Sequence, residues 1–252
     1  TYFIILRLNN LMKRIRSLIR LFQLFLITTF YVSYYFISGI FKGYTREHMT
    51  HVTMLWGKAL VKHSNIKVKL FGTIPENGVL FVSNHRSYID IALIAQYVPC
   101  TFLSKAEVAT WPVIGLAARA VKVLFVKRED PESRREARKL IHATVDQGIS
   151  VIIFPEGTAN IKNDIMPFRQ GVFKVAADGD FKIIPIAIIL KDMKHAWGEE
   201  SFLSHFIRTF KEKEIHFAIS FGDIIKDNDP DHLMKTCWHW INNEIKRKIA
   251  WQ

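Results

Sequence analysis

His85 and Asp90, in the run Asn84-His85-Arg86-Ser87-Tyr88-Ile89-Asp90, join the side chain that titrates nearest neutrality to a carboxylate. A carboxylate beside an imidazole fixes its tautomer and stabilises its charged form, which makes a proton-abstracting pair. The spacing sets a condition. On one continuous helix, residues five apart point about 140° away from each other, because each residue turns about 100°. The pair meets only if His85 stays in a loop and the helix begins near Ser87, as its N-cap, with Asp90 in the first turn. A lone pair of this kind is a common accident of composition, so the positioning elements have to carry the case.

Those elements read as strands and helices in alternation. An alternating strand, Ile66, Val68, Leu70, runs to Gly72, and Pro75-Glu76-Asn77-Gly78 is a turn. Val79 to Val82 is a short apolar run of the kind that is covered on both faces. A helix after Ser87, a strand through Thr101-Phe102-Leu103, an interruption at Pro112 and Gly115, and an apolar strand from Val121 to Val126 follow. Asp130 caps and Pro131 opens the next helix, closed by Gly148. Val151 to Phe154, Phe181 to Leu190 and Glu214 to Phe221 are further strands, and Pro230 opens the last helix. This pattern predicts an α/β domain, a mostly parallel sheet flanked by helices.

In such sheets functional loops gather at the carboxyl ends of strands. There the sequence places His85, Lys105, Arg128 and Pro155-Glu156-Gly157-Thr158. Cations bind phosphate, an imidazole deprotonates an alcohol, and a glycine turn lets backbone approach a ligand. The inventory suits transfer of a group onto a hydroxyl of a phosphorylated acceptor. No Gly-x-Ser-x-Gly nucleophile turn is present.

Composition narrows the class. The 252 residues are 49% hydrophobic, ample for a core, and the net charge of +12 favours a polyanionic partner. Nucleic acid is the poorer choice, because no zinc-knuckle spacing or RNA-binding aromatic motif occurs. Cys100 and Cys237 alone give neither a disulfide framework nor a metal cluster. No metal or cofactor is expected.

The charge lies beside apolar sequence. Leu11, Met12, Ile15, Leu18 and Ile19 share a helical face while Lys13, Arg14, Arg16 and Arg20 fall mostly elsewhere, a basic amphipathic pattern suited to an anionic membrane surface. Leu21 to Phe41 then carries no charge, and its length as a helix is about 30 Å, roughly that of a hydrocarbon core. The segment fits a single span or a helix within one leaflet; no small-x-small cleavage pattern clearly follows it, which argues against a signal peptide. The first residue is Thr1 rather than Met, which leaves room for sequence upstream. A helix over 44–63 links this anchor to the rest, with His48 and His51 on a solvated face. The expected division is 1–63, membrane-anchoring and linking helices, and 64–252, a catalytic domain.

Four motifs in order resemble the glycerolipid acyltransferases typified by lysophosphatidic acid acyltransferase. Asn84-His85 to Asp90 matches the Asn-His-x4-Asp block; Lys105-Ala106-Glu107-Val108 with Pro112 and Gly115, continuing to Phe125-Val126-Lys127-Arg128, matches the second. Phe154-Pro155-Glu156-Gly157-Thr158, with its sequel Phe168-Arg169-Gln170-Gly171, matches the third, and Ile184-Pro185-Ile186 the fourth. The resemblance implies a membrane-associated enzyme facing the cytoplasm, its co-substrate an acyl thioester of coenzyme A or acyl carrier protein. His85 would be the general base, Asp90 its orienter, and Arg128, Glu156, Gly157, Thr158 and Lys105 the acceptor ligands. One departure stands out: many members continue the third block with Arg-Ser, where this chain has Ala159-Asn160. Lys162 or Arg169 then becomes the substitute cation, or the acceptor is another lysolipid, such as lyso-ornithine lipid.

Overall fold

The computed structural model describes residues 2–249 except 76, 77 and 112. The Glu76-Asn77 turn and Pro112 of the second block therefore lie outside the described residues.

Seven strands, β1 (Ile66–Phe71), β2 (Leu80–Ser83), β3 (Cys100–Lys105), β4 (Leu124–Val126), β5 (Ser150–Ile153), β6 (Ile183–Leu190) and β7 (Ile215–Phe221), form one sheet in the order β1-β7-β6-β2-β5-β3-β4. β4, β3, β5, β2 and β6 run parallel, while β7 is antiparallel to β6 and parallel to β1. The sheet is mostly parallel, as its apolar runs predict. Side chains alternate across it. Phe81, Phe102, Ile152, Ile184 and Ile188 face one core, whereas Leu80, Val82, Val151, Ile183 and Ile189 face the other.

Helices cover both faces. On the first lie α2 (Arg46–His63), α3 (Ile89–Ala95) and α7 (Phe202–Phe210); on the second lie α5 (Pro131–Asp146), α6 (Gly171–Asp178) and α8 (Pro230–Ile249). α5 starts where expected, with the Asp130 side chain accepting from Glu132 N–H and Pro131 in the first turn.

α1 (Tyr2–Lys42) is one continuous helix of 41 residues. Its inner side, through Leu21, Leu24 and Ile27, packs on the first core. Arg20, 6% exposed, donates to the carbonyls of Phe210, Glu212 and Lys213, and Arg16 to that of Lys211. These carbonyls include the unsatisfied end of α7, where a cation is favoured. Two of the basic residues that suggested an anionic surface therefore bind the domain itself. Leu11, Leu18, Phe22, Phe30, Ile37 and Phe41 remain exposed on the outer side.

Three expectations are corrected. The run Val121 to Val126 is not all strand: α4 (Ile114–Ala120) precedes it, Lys122 turns at φ +51°, and Val123 N–H closes the helix end on Ala118 O. Only Leu124–Val126 pairs with β3. The N-cap of α3 is Tyr88 rather than Ser87, whose hydroxyl accepts from Ile89 N–H. His48 is buried at 9% exposure, not solvated, because α1 covers it: Ser38 Oγ lies 2.9 Å from its Nε2 and Tyr35 stacks on its ring.

Candidate active site

The loop between β2 and α3 carries the imidazole. His85 Nδ1 lies 2.8 Å from Asp90 Oδ2, and the same oxygen accepts from the backbone N–H of Arg86 at 2.6 Å and of Ser87 at 2.9 Å. The boundary between loop and helix thus brings the five-apart pair together. Asp90 is fully buried, and three donors converge on one carboxylate oxygen, so the ring's orientation is set by the backbone of its own loop. With Nδ1 held by the carboxylate, Nε2 is the ring nitrogen left to act. Phe154 stacks on the ring with centroids 4.1 Å apart.

Around this loop the third block forms a frame. Glu156, 3% exposed, accepts the His85 N–H on Oε1 at 2.8 Å and the Met166 N–H on Oε2 at 2.8 Å. Burial pushes its carboxyl above the usual range, and these two N–H groups, Arg86 and Asn160 pull it back down. Arg86 is 1% exposed and donates to the carbonyls of Asn160, Lys162 and Asn163. Desolvation lowers its pKa, and Glu156 and Asp90 act the other way. The Asn84 side-chain amide donates to Ile188 O of β6 at 2.9 Å and accepts from Ile188 N–H at 2.8 Å. The loops after β2 and β5 and strand β6 are thus locked together beneath one imidazole.

A cavity of about 690 Å³ opens in front of it, lined mainly by apolar side chains. His85, Lys105, Arg128, Gly157 and Thr158 all border it. Asp90 and Glu156 do not; they stand behind His85, and both Glu156 oxygens are occupied by protein donors. α1 and α2 supply one wall through Leu24, Tyr31, Tyr35 and Trp56, and α7 another through Phe206 and Phe210. Gly157 takes φ +78°, a conformation that favours glycine. Arg128 is half-buried, and desolvation followed by the nearby Arg169 guanidinium lowers its pKa.

A model of the family described as Acyltransferase matches residues 65–189, which cover β1 to β6 and every loop just described. The chain belongs to this acyltransferase family. Among its relatives, the lyso-ornithine lipid O-acyltransferase of Pseudomonas aeruginosa is 31% identical over 166 residues, 64% of either chain. A chloroplastic 1-acyl-sn-glycerol-3-phosphate acyltransferase of Arabidopsis thaliana is 29% identical over 197 residues, 76% of this chain and 55% of that one. The chain thus spans about two-thirds or less of the length of these relatives. The crystal structure of the 1-acyl-sn-glycerophosphate (LPA) acyltransferase PlsC from Thermotoga maritima shares the fold, with a TM-score of 0.72 and 20% identity over 93% of this chain and 97% of that one.

Within the family pattern, the departure at Ala159-Asn160 has a structural meaning. Asn160 is 6% exposed: its amide donates to Asp164 O at 2.6 Å and to Glu156 at 3.4 Å, and its Oδ1 accepts from Lys162 N–H. It braces the frame, and Ala159 lines the cavity without a charge. Sequence reasoning singled out neither Arg86 nor Asn160 as a site residue. The Arg86 partners are carbonyls 74 to 77 positions away in sequence, which leave no spacing to read, whereas the Asn160 side chain bonds within its own loop, to residues two and four positions away.

Proposed function

We propose that this chain is a membrane-bound O-acyltransferase that moves a fatty acyl group from an acyl thioester to the free hydroxyl of lysophosphatidic acid, giving phosphatidic acid. The observation that carries the reading is the His85–Asp90 contact at the mouth of an apolar cavity lined by cations. His85 Nε2 takes the proton of the acceptor hydroxyl as its oxygen attacks the thioester carbon. The tetrahedral species then expels the thiolate, which recovers the proton from the imidazolium. Asp90 keeps Nδ1 protonated and stabilises the imidazolium while it exists. No acyl-enzyme is needed. Arg128, Lys105, Gly157 and Thr158 border the cavity and are assigned to the acceptor, while Glu156 acts by holding the His85 backbone. The apolar walls suit acyl chains, and the thioester of coenzyme A or acyl carrier protein is the only co-substrate in the scheme.

α1 favours a helix lying in one leaflet over a span. What supports this is that its inner side is packed and hydrogen-bonded to the domain along 16–38, which keeps residues 21–41 against the domain. The exposed outer side and the cavity wall belong to the same helix, which would present the cavity to the lipid, with the site on the cytoplasmic side where thioesters are made. An N-terminal tag accessible only from the opposite side would reject this placement.

The relatives named for lyso-ornithine lipid keep a second acceptor open. Purified protein, acyl-CoA and a panel of lysolipids, scored by product mass, test both readings together. Phosphatidic acid as the main product supports the first, and consumption of no thioester with any lysolipid rejects both.

A further inference from the structure

Nothing in the His85–Asp90 pair distinguishes one hydroxyl from another. With no acyl-enzyme in the scheme, water at Nε2 can attack the thioester just as a lysolipid does, so whatever keeps water away decides the product. The wall beside the imidazole is aromatic: Phe154, Tyr88, Trp111, Trp197 and Phe202 border the same cavity as His85. Tyr88, Trp197 and Phe202 form a fixed group. Trp197 stands edge-on to Tyr88 with centroids 5.2 Å apart, and Phe202, at the start of α7, lies 4.8 Å from Tyr88. Their polar tips turn to protein. Trp197 donates its Nε1–H to Glu200 O at 2.9 Å and its backbone N–H to Arg86 O, inside the catalytic loop, at 2.8 Å. Tyr88 Oη lies 2.9 Å from His205 Nδ1, and His205 Nε2 lies 3.0 Å from His195 O. A carbonyl only accepts, so Nε2 carries the imidazole proton and Nδ1 accepts from the Tyr88 hydroxyl. These three rings therefore offer water no free donor.

Trp111 reaches them from another element. It follows the turn Ala106–Thr110 after β3, a stretch without a buried residue, and its ring meets Phe202 at 5.4 Å and Trp197 at 6.4 Å. Gly115 N–H bonds Trp111 O at 2.8 Å, and a Cβ on Gly115 would run into Ala109 O, so α4 sits tightly on that turn. Only Gly115 is buried in α4, whose end packs through Ala120 on the Tyr35 cluster under α1. We propose that Trp111, closing on Trp197 and Phe202, shuts water out of the His85 site and so directs the acyl group to a lipid alcohol instead of to water. This rests on the acyltransferase reading and adds the device that confines the reaction to transfer. With the ring removed, water takes the acceptor's place. Its oxygen bonds the thioester carbon as Nε2 takes one of its protons, the C–S bond breaks, and the thiolate recovers that proton, leaving a free fatty acid and a free thiol. An aromatic pair of this kind shifts an equilibrium about 2- to 12-fold, and Trp111 makes two.

The test compares wild type with Trp111→Ala, Trp111→Phe and, on the outer side of α4 where the side chain is 59% exposed, Leu116→Ala. Each is given acyl-CoA with lysophosphatidate and, separately, with lyso-ornithine lipid, and the ester product and free fatty acid are scored by mass in the same reaction. Their ratio does not depend on how much of a variant is folded, so a variant that is merely destabilised keeps the wild-type value. Trp111→Ala should raise fatty acid relative to ester about 5- to 100-fold, Trp111→Phe by less, and Leu116→Ala not at all. Combining Trp111→Ala with His85→Ala should return fatty acid to background, because the same imidazole serves water. Amide exchange over Ala106–Thr110 and α4 should quicken in Trp111→Ala. An unchanged ratio or unchanged exchange in Trp111→Ala, an equal rise in Leu116→Ala, or fatty acid that persists without His85 would each overturn the proposal. Ester formation with an unchanged ratio would sink the closure and keep the enzyme, whereas a wild type that consumes no thioester with either lysolipid would reject the enzyme and the closure with it.

Discussion

Replacing Asp90 by Asn isolates charge from shape at the centre of the site. The oxygen that bonds His85 Nδ1 also takes the N–H groups of Arg86 and Ser87, so an Asn oxygen in that place keeps all three bonds. The other oxygen, Oδ1, is buried and has no partner among the described residues. The Asn amino group can therefore occupy its place without meeting a second donor. What disappears is the negative charge next to the imidazolium that forms during proton transfer. At about 4 Å and an effective dielectric constant near 20, that interaction is worth about 4 kcal/mol, and partial screening at the cavity mouth reduces it. kcat should fall about 100- to 1000-fold. Because Asp90 does not border the cavity, KM for the acceptor should stay within about threefold of wild type. Continuous detection of the released thiol with acyl-CoA and lysophosphatidate reads both numbers, and the thermal midpoint should drop by only a few degrees. A kcat within fivefold of wild type, with the fold intact, would refute the assignment of Asp90 as the partner that stabilises a charged His85.

Glu156→Gln leaves one oxygen where two accept backbone N–H groups, so the His85 or the Met166 N–H faces an amide donor and stability falls by about 1–3 kcal/mol at neutral pH. Burial raises the folded-state pKa of Glu156, so its contribution to wild-type stability is largest in acid and declines as pH rises from about 4.5 through the folded value. The stability gap between wild type and Glu156→Gln, from urea titrations at several pH values, should therefore be widest in acid and narrow as pH rises; a gap that widens with pH counts against this. Arg20→Ala strips three carbonyls at the end of α7 of a buried cationic donor and should cost about 2–4 kcal/mol in urea titrations. It should also loosen α1, seen as faster hydrogen exchange along that helix, and unchanged exchange would show that α1 is held by its apolar contacts alone.

Much of the frame was readable because apolar runs bounded by turn residues mark strands buried on both faces. β2 and β5 announced themselves this way, and their end loops carried His85 and Glu156. Val121 to Val126 misled for the same reason: an apolar run does not say where a helix end stops and a strand begins, and only the turn at Lys122 separates α4 from β4. The reversal of β7 and β1 was invisible, since strand direction depends on how α7 returns the chain. α6 and α7 run only eight and nine residues, too few turns for a periodic pattern to stand out from the neighbouring apolar runs. In the site, His85 and Asp90 are close in sequence and could be paired by helical geometry. Arg86 and Asn84 act on backbone carbonyls and amides far along the chain, and backbone partners carry no residue identity to recognise. The burial of His48 depended on α1 folding back over α2, which its own sequence does not state.

The central claim is that His85 is the proton acceptor for the acceptor hydroxyl, and His85→Ala tests it most directly. Its backbone N–H bond to Glu156 does not involve the side chain, so the frame should persist and circular dichroism should match wild type. Measured as product mass from acyl-CoA and lysophosphatidate, phosphatidic acid formation should fall by about 100- to 10,000-fold. Turnover within a few-fold of wild type in a folded His85→Ala protein would contradict the account.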